Sequence, residues 1–293
     1  MNIRLGANPI IWSNDDMREL GAETSLETCL TQARQIGFEG MELGHKFPRD
    51  PIELAATLSR FGLACVSGWY SAELRARDAR AELGHLRPHL DLLKSLGSSV
   101  LVFADVSGAI HGDVRRPLSQ RPQLTPGDWR EFGRRVTEVA ARTAAEGVRL
   151  VYHHHMGTVV QSEADIDALM NATGTDVGLL LDTGHASFAG ADPVSLARHY
   201  ASRICHVHAK DIRAAVCQQA RSEDWSFLHA VVRGVFTVPG DGSVAFGRVF
   251  DALRPYSGWV ILEAEQDPKS ADPLTYASLG YRNLRRLITE RLQ

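Results

Sequence analysis

Short, continuously apolar runs recur along the chain, each preceded by a helix-like stretch and a glycine. The pattern appears at ARQIGFEGMELG (33–44), LSRFGLACVSGW (58–69), LLKSLGSSVLVFAD (92–105), ARTAAEGVRLVYHH (141–154) and MNATGTDVGLLLD (170–182). A glycine just after a helix takes the left-handed conformation that ends it, and the residues beyond enter a strand. Runs that are apolar throughout, not alternating, are the mark of parallel strands buried on both faces. The pattern predicts strands at 3–8, 39–43, 63–68, 99–104, 149–154, 177–182, 203–208 and 259–264. Between them it predicts helices at 25–36, 51–61, 78–96, 126–146, 162–172, 193–201, 246–254 and 274–291. Ser25 before Leu26, Thr125 before Pro126 and Asp192 before Pro193 supply start signals. Eight strands alternating with eight helices point to an α/β fold, a single (β/α)8 TIM barrel over 1–293, and no phosphate-binding glycine motif follows the first strand to favour an open sheet. The irregular stretch 210–245, charge-rich and ending in VPGDGS, is too long for an ordinary βα loop and is expected to lie over the site.

Four of the apolar runs end in acid or imidazole side chains: LVYHHH (150–155), GLLLDTGH (178–185), ICHVH (204–208) and WVILEAE (259–265). Such groups are costly at a buried strand end unless a metal, a partner or a substrate meets them. In barrels of this kind the chemistry gathers at the C-terminal strand ends. Strand parity puts His153 and His155 on one face, His206 with His208, and Glu263 with Glu265. His153 and Asp182 are 29 residues apart, and Asp182 and His208 are 26 apart, one βα unit each. Adjacent strand ends thus carry a candidate metal set of His153, Asp182, His208 and Glu263, with Glu265 competing for the last place. Nitrogen and carboxylate donors without thiolate suit Mn²⁺, Co²⁺, Zn²⁺ or Mg²⁺. His185 is expected on the loop after the sixth strand, as a substrate contact, a ligand or a cap. Lys210 and Asp211 follow His208 and can pair with each other. His85, His89, His111, His199 and His229 read as ordinary surface histidines.

The first strand ends supply a different chemistry. GANPIIWSNDD places Asn8 and Trp12 after strand one, GMELGHKFPRD places Glu42, His45, Lys46 and Arg49 after strand two, and SGWYS places Trp69 after strand three. Indole faces beside amides and hydroxyls suit a polyol ring, so Asn8, Trp12, Trp69 and His155 are the candidate substrate contacts. An apolar fraction of 44% over 293 residues fits one large globular core. A net charge of −3 gives no footprint for nucleic acid or anionic membrane. The N-terminus lacks the apolar core of a secretory signal and no run reaches membrane-spanning length. Four singly placed cysteines read as free thiols of a reducing compartment, so a cytoplasmic protein is expected.

At these residues the chain resembles the inosose dehydratases (2-keto-myo-inositol dehydratases). The resemblance rests on GANPIIWSNDD…LGAETSLETCLTQARQIGFEGMELGHKFPRD, YHHHMGT, LLLDTGH, HVHAKD and GWVILEAEQDP with DPLTYASLGYRNL, and runs from strand one to the final helix. The DTGH and HVHxKD pieces are shared with the wider xylose isomerase-like barrels. There the metal is held by a Glu, an Asp, a His and a Glu on strands five to eight, which correspond to His153 (a departure from Glu), Asp182, His208 and Glu263. The resemblance implies a hydro-lyase that removes water from 2-keto-myo-inositol, in inositol catabolism, to give a trihydroxycyclohexane dione. The expected cofactor is a divalent ion, Mn²⁺ or Co²⁺, and a homo-oligomer is compatible with it. Glu42, Glu263, Glu265 and His153 are the candidate bases, and His185, Lys46 and Lys210 the candidate acids. A sugar or inosose epimerase or isomerase on the same barrel is the alternative, because α-ketol chelation serves those reactions equally. A repair endonuclease is more remote, since its cluster needs histidines where this chain has Trp69, Tyr70 and Asp105. A non-catalytic sugar-binding barrel completes the alternatives.

Overall fold

The computed structural model describes residues 3–291. Its strands are β1 (Ile3–Ala7), β2 (Gly40–Leu43), β3 (Ala64–Ala72), β4 (Val100–Asp105), β5 (Arg149–His153), β6 (Gly178–Asp182), β7 (Ile204–Ala209), β8 (Asp211–Ile212), β9 (Phe236–Thr237) and β10 (Gly258–Leu262). Its helices are α1 (Leu26–Ile36), α2 (Pro51–Arg60), α3 (Ala79–Ser95), α4 (Asp128–Ala145), α5 (Glu163–Ala172), α6 (Thr183–Ala189), α7 (Pro193–His199), α8 (Ala214–Ser222), α9 (Phe227–Val232), α10 (Phe246–Ala252) and α11 (Pro273–Arg291). Eight strands close into a parallel barrel in the order β1-β10-β7-β6-β5-β4-β3-β2, as the run pattern predicts. No helix among the described residues is long and apolar enough to cross a membrane.

Local chemistry explains the boundaries. Ser25 accepts the Thr28 N–H at the start of α1, and Asp192 accepts the Val194 N–H at the start of α7. Gly37 ends α1 at φ +113°, where its N–H reaches the Ala33 carbonyl and β2 can begin three residues later. The strands bury both faces: β4 and β6 are buried at every position. Register then fixes the site, because Asp182 lies opposite His208, and His208 opposite Ile261, two residues before Glu263.

Three expectations change. β3 does not stop at 68 but pairs onward with β4, from Trp69–Val102 to Ala72–Asp105, because Trp69 and Tyr70 continue the strand past Gly68. A helix, α6, begins directly after β6, with the Asp182 carboxylate accepting the His185 N–H at 2.7 Å. His185 is therefore on a helix and not on a loop. The stretch 210–245 is also folded. It holds α8, α9 and an antiparallel β8–β9 pair, and Ile212, Cys217, Phe227, Leu228, Val231 and Phe236 form a small apolar cluster with Met156 and Phe188. Most of its charges flank the short helices or, like Lys210 and Asp211, are buried, so its helices are brief apolar stretches between polar turns.

Candidate active site

His153, Asp182, His208 and Glu263 meet at the C-terminal mouth of the barrel, all at 4% exposure or less. Asp182 Oδ2 lies 3.7 Å from His153 Nε2 and 3.6 Å from His208 Nδ1, and His208 Nδ1 lies 2.6 Å from Glu263 Oε2. Each side chain is anchored at one end and open at the other. His153 Nδ1 donates to the His154 carbonyl at 2.7 Å, which turns the Nε2 lone pair toward Asp182. His208 Nε2 donates to Glu42 at 3.1 Å, which leaves Nδ1 facing Asp182 and Glu263. Asp182 Oδ1 caps α6. Asp182 Oδ2, His208 Nδ1 and Glu263 Oε2 make no hydrogen bond of normal geometry although all three are buried. Two buried carboxylate oxygens and an imidazole nitrogen that converge on one point fit a cation. One donor atom from each of His153, Asp182 and His208 falls within 4.8 Å of the others, and the same holds for Asp182, His185 and Glu263.

Electrostatics set the charges within the cluster. Burial opposes charge on His208, yet Glu263 and Glu42 outweigh it and hold the imidazole well above its ordinary pKa. The same carboxylates would favour a divalent ion. Burial lowers His153 to about 3, with repulsion from His208 adding to it, so His153 is neutral and its lone pair is free. Glu42 is pushed up by burial, but His208 and His206 hold it well below the usual carboxylate range. Its two oxygens are taken by Asn8, Ser67, His206 and His208.

Above this cluster opens a cavity of about 280 Å³, lined by Asn8, Glu42 and His45 on one side and by Trp69, His153, His155 and Glu265 on the other. Glu265 Oε1 accepts from Lys210 Nζ at 2.6 Å, while Oε2 has no partner. Burial raises Glu265 to about 7, with Lys210 opposing and Glu263 adding to the rise. Lys210 is fully buried, its ammonium also 2.5 Å from Glu263 Oε1 and 3.5 Å from Asp182 Oδ2. Burial disfavours that charge, but Asp182, Glu263 and Glu265 hold it well above the ordinary lysine value. Its stem passes Gly184, where a Cβ would fall 2.5 Å from Lys210 Cγ, so the DTGH glycine makes room for the lysine of HVHAKD. The rings of His155 and His185 lie 4.0 Å apart, and Trp69 stands edge-on to His153 and His155 at 5.3 and 5.6 Å.

A family model for the xylose isomerase-like TIM barrel matches residues 30–287. The chain is 48% identical over 289 residues to the rhizopine catabolism protein MocC of Rhizobium meliloti, which covers 98% of this chain and 89% of that one. It is 42% identical over 279 residues to an inosose dehydratase of Geobacillus thermodenitrificans, covering 94% of each. The chain belongs to the xylose isomerase-like TIM barrel family and, within it, to the inosose dehydratases. The resemblance read from the sequence is borne out. Among solved structures, the IOLI protein with a bound zinc atom superposes with a TM-score of 0.66 at 14% identity, covering 99% of this chain and 98% of that one, a likeness of fold.

In this inosose dehydratase family member the sequence-derived candidates fall into three groups. His153, His208, Glu263, Glu265, Asn8, Trp69 and His155 line the cavity, with Asp182 buried beside His153 and His208. His185 and Lys210 sit behind it, shielded by His155 and Glu265, and Lys210 pairs with carboxylates of the cluster, not with Asp211, whose carboxylate ties down Gly240, Gly242 and Val244. Glu42 reaches the cavity but is spent as an acceptor, which suits a group that orients His208 and not a base. Lys46 and Trp12 are not brought in. Lys46 Nζ donates to the carbonyls of Gly21, Ala22 and Thr24, and Trp12 Nε1 donates to Gln32, so both secure the segment after β1. An acid role for Lys46 and a substrate contact for Trp12 are corrected on that geometry.

The sequence reading passed over His111 as a surface residue. It lines the cavity, with its ring 5.1 Å from that of His155, and it arrives on the long β4–α4 connection, where no strand parity signals it. Asp15, which pairs with His45, was also missed, although GANPIIWSNDD contains it.

Proposed function

We propose that this chain removes water from 2-keto-myo-inositol (scyllo-inosose) to give a trihydroxycyclohexane-1,2-dione, as a divalent-ion-dependent hydro-lyase. His153, Asp182, His208 and Glu263 would hold the ion, Mn²⁺ or Co²⁺ in preference to Zn²⁺ or Mg²⁺. The observation that carries the reading is the convergence of buried, unpartnered donor atoms directly beneath a polar cavity, in a chain of the inosose dehydratase family. When bound, the ion supplies Lewis acidity at the substrate ketone and so acidifies the adjacent C–H.

The remaining work falls to side chains. Glu265 Oε2, free of hydrogen bonds, receives the α-proton, and Lys210 holds the carboxyl in place through Oε1. The electron pair of the broken C–H bond forms the C=C bond as the β C–O bond breaks. The hydroxyl leaves with the proton that Glu265 returns, so that one water is lost, and the enol product tautomerises to the dione. Asn8 and His155 meet ring hydroxyls, and Trp69 presents an apolar face to the ring. The 210–245 segment of this single domain backs the site, its Phe227 and Phe236 packing against His155 and His185 and keeping water from behind the ring. Free cysteines at 29, 65, 205 and 217 suit a reducing compartment such as the cytoplasm.

The test is to mix Mn²⁺-loaded protein with 2-keto-myo-inositol in deuterium oxide and follow dione absorbance and deuterium at the α-carbon. Dione formation is expected. Exchange or epimerisation at the α-carbon without dione would overturn the reading in favour of an epimerase.

A further inference from the structure

The buried ammonium of Lys210 occupies an unusual place. Its Nζ lies 2.5 Å from Glu263 Oε1, 2.6 Å from Glu265 Oε1, 3.1 Å from His185 Nε2 and 3.5 Å from Asp182 Oδ2, with the Phe236 ring centroid at 4.7 Å. Four of its five neighbours are side chains that ligate divalent ions elsewhere in biology's repertoire of nitrogen and oxygen donors. Two of them belong to a second convergent trio: one donor atom each from His155, His185 and Glu265 lies within 4.8 Å of the others. All three residues are buried, at 7%, 1% and 1% exposure, and Glu265 Oε2 has no hydrogen-bond partner. Ligand bonds of about 2.0–2.2 Å bring two donors of one ion to within about 4.4 Å, so small side-chain rotations close this trio on a cation.

We propose that the Lys210 ammonium stands in the place of a second divalent cation, and that His155, His185 and Glu265 form a latent second ion site that opens when the ammonium is removed. The inference rests on the first ion being held as proposed above. Charge supports it. Asp182, Glu263 and Glu265 carry three negative charges, which one divalent ion and one ammonium balance, whereas the Glu42 carboxylate stands apart, its oxygens accepting from Asn8, Ser67, His206 and His208. Deleting the ammonium leaves one buried negative charge uncompensated, a costly state that a further cation relieves. Space supports it as well. The lysine stem fills the gap beside Gly184, and truncation to Cβ removes the ammonium that lies against His185 and Glu265. Lys210 is on this account a positioning residue that sets the ion count of the site.

The experiment counts ions. Wild-type protein, Lys210→Ala, Lys210→Ser and Lys210→Arg are stripped, reloaded with Mn²⁺, freed of excess metal and analysed for manganese per chain, with electron paramagnetic resonance to detect magnetic coupling between neighbouring ions. One ion per chain is expected in the wild type and in Lys210→Arg, which keeps the charge. Two ions per chain with a coupled signal are expected in Lys210→Ala, and in Lys210→Ser should the alanine variant fail to fold. Two ions in the wild type, or a single ion in the folded alanine or serine variant, would overturn the proposal while leaving the first site standing. No ion in the wild type would overturn the proposed function and this inference together.

Discussion

The two halves of the barrel mouth are built on opposite logics. On the β5–β7 and β10 side, His153, Asp182, His208 and Glu263 stand at or just beyond strand ends whose register is fixed by buried backbone pairing, and every one of them is nearly inaccessible. On the β1–β4 side Glu42 and Asp105 are buried on their strands and Trp69 stands on β3, while Asn8, His45 and Lys46 sit on connections, are part-exposed, and divide between the cavity and the protein itself. The two lysines singled out from the sequence show the contrast. Lys210, two residues beyond His208 on β7, is drawn into a carboxylate cluster, whereas Lys46, on the loop after β2, is consumed by three backbone carbonyls. Strand ends commit a side chain to the barrel axis. Loops leave it free to serve its own neighbourhood.

The sharpest way to break that contrast is on the strand-end side. Asp182→Ala removes an oxygen aimed at the ion and the N-cap of α6 together. It is expected to abolish metal retention and to lower dione formation by at least ~10³-fold, with the barrel still folded by circular dichroism. Full metal occupancy in that variant would show that Asp182 is not a ligand. Glu265→Gln keeps shape and removes the base. Turnover should fall by about 10²–10⁴-fold while manganese content stays at the wild-type value, a separation that metal analysis beside kinetics reads directly. If metal were lost with activity, Glu265 and not Glu263 would be the ligand that follows β10.

The β1–β4 side predicts smaller and different effects. Trp69→Ala removes an apolar face from the cavity wall, so KM should rise about tenfold, near 1–2 kcal/mol, with kcat changed far less and metal content unchanged. An equal loss in kcat would place the indole in the reaction itself. Lys46→Ala is expected to lower stability by about 1 kcal/mol through its lost carbonyl partners, visible as an earlier urea midpoint, with kcat within a few-fold of wild type. A large fall in kcat without a stability change would restore Lys46 as an acid and erase the distinction drawn between the two halves.

The same division governs what could be read from the sequence. The barrel, its eight strands and the four converging donors follow from period, parity and one-unit spacing, because buried parallel strands leave a continuous apolar record that ends where the chemistry begins. Beyond that reach the pattern weakens. Trp12 and Asn8 lie four residues apart after the same strand, yet only Asn8 lines the cavity, since the turn Pro9–Ile11 carries the indole toward Gln32. His111 arrives on a connection with no periodicity. The α8 and α9 helices of the 210–245 segment span only nine and six residues, too short to show a helical period. His185 was legible as chemistry but misplaced in structure, because Asp182 both ends a strand and caps a helix, and a single residue in two roles has no signature of its own.

The most direct test of the central claim is anomalous diffraction from crystals of the Mn²⁺-loaded protein. The account predicts one peak about 2.2 Å from each of His153 Nε2, Asp182 Oδ2, His208 Nδ1 and Glu263 Oε2. A peak instead among Glu42, His206 and His208, the neighbouring trio whose donor atoms also converge, would contradict it.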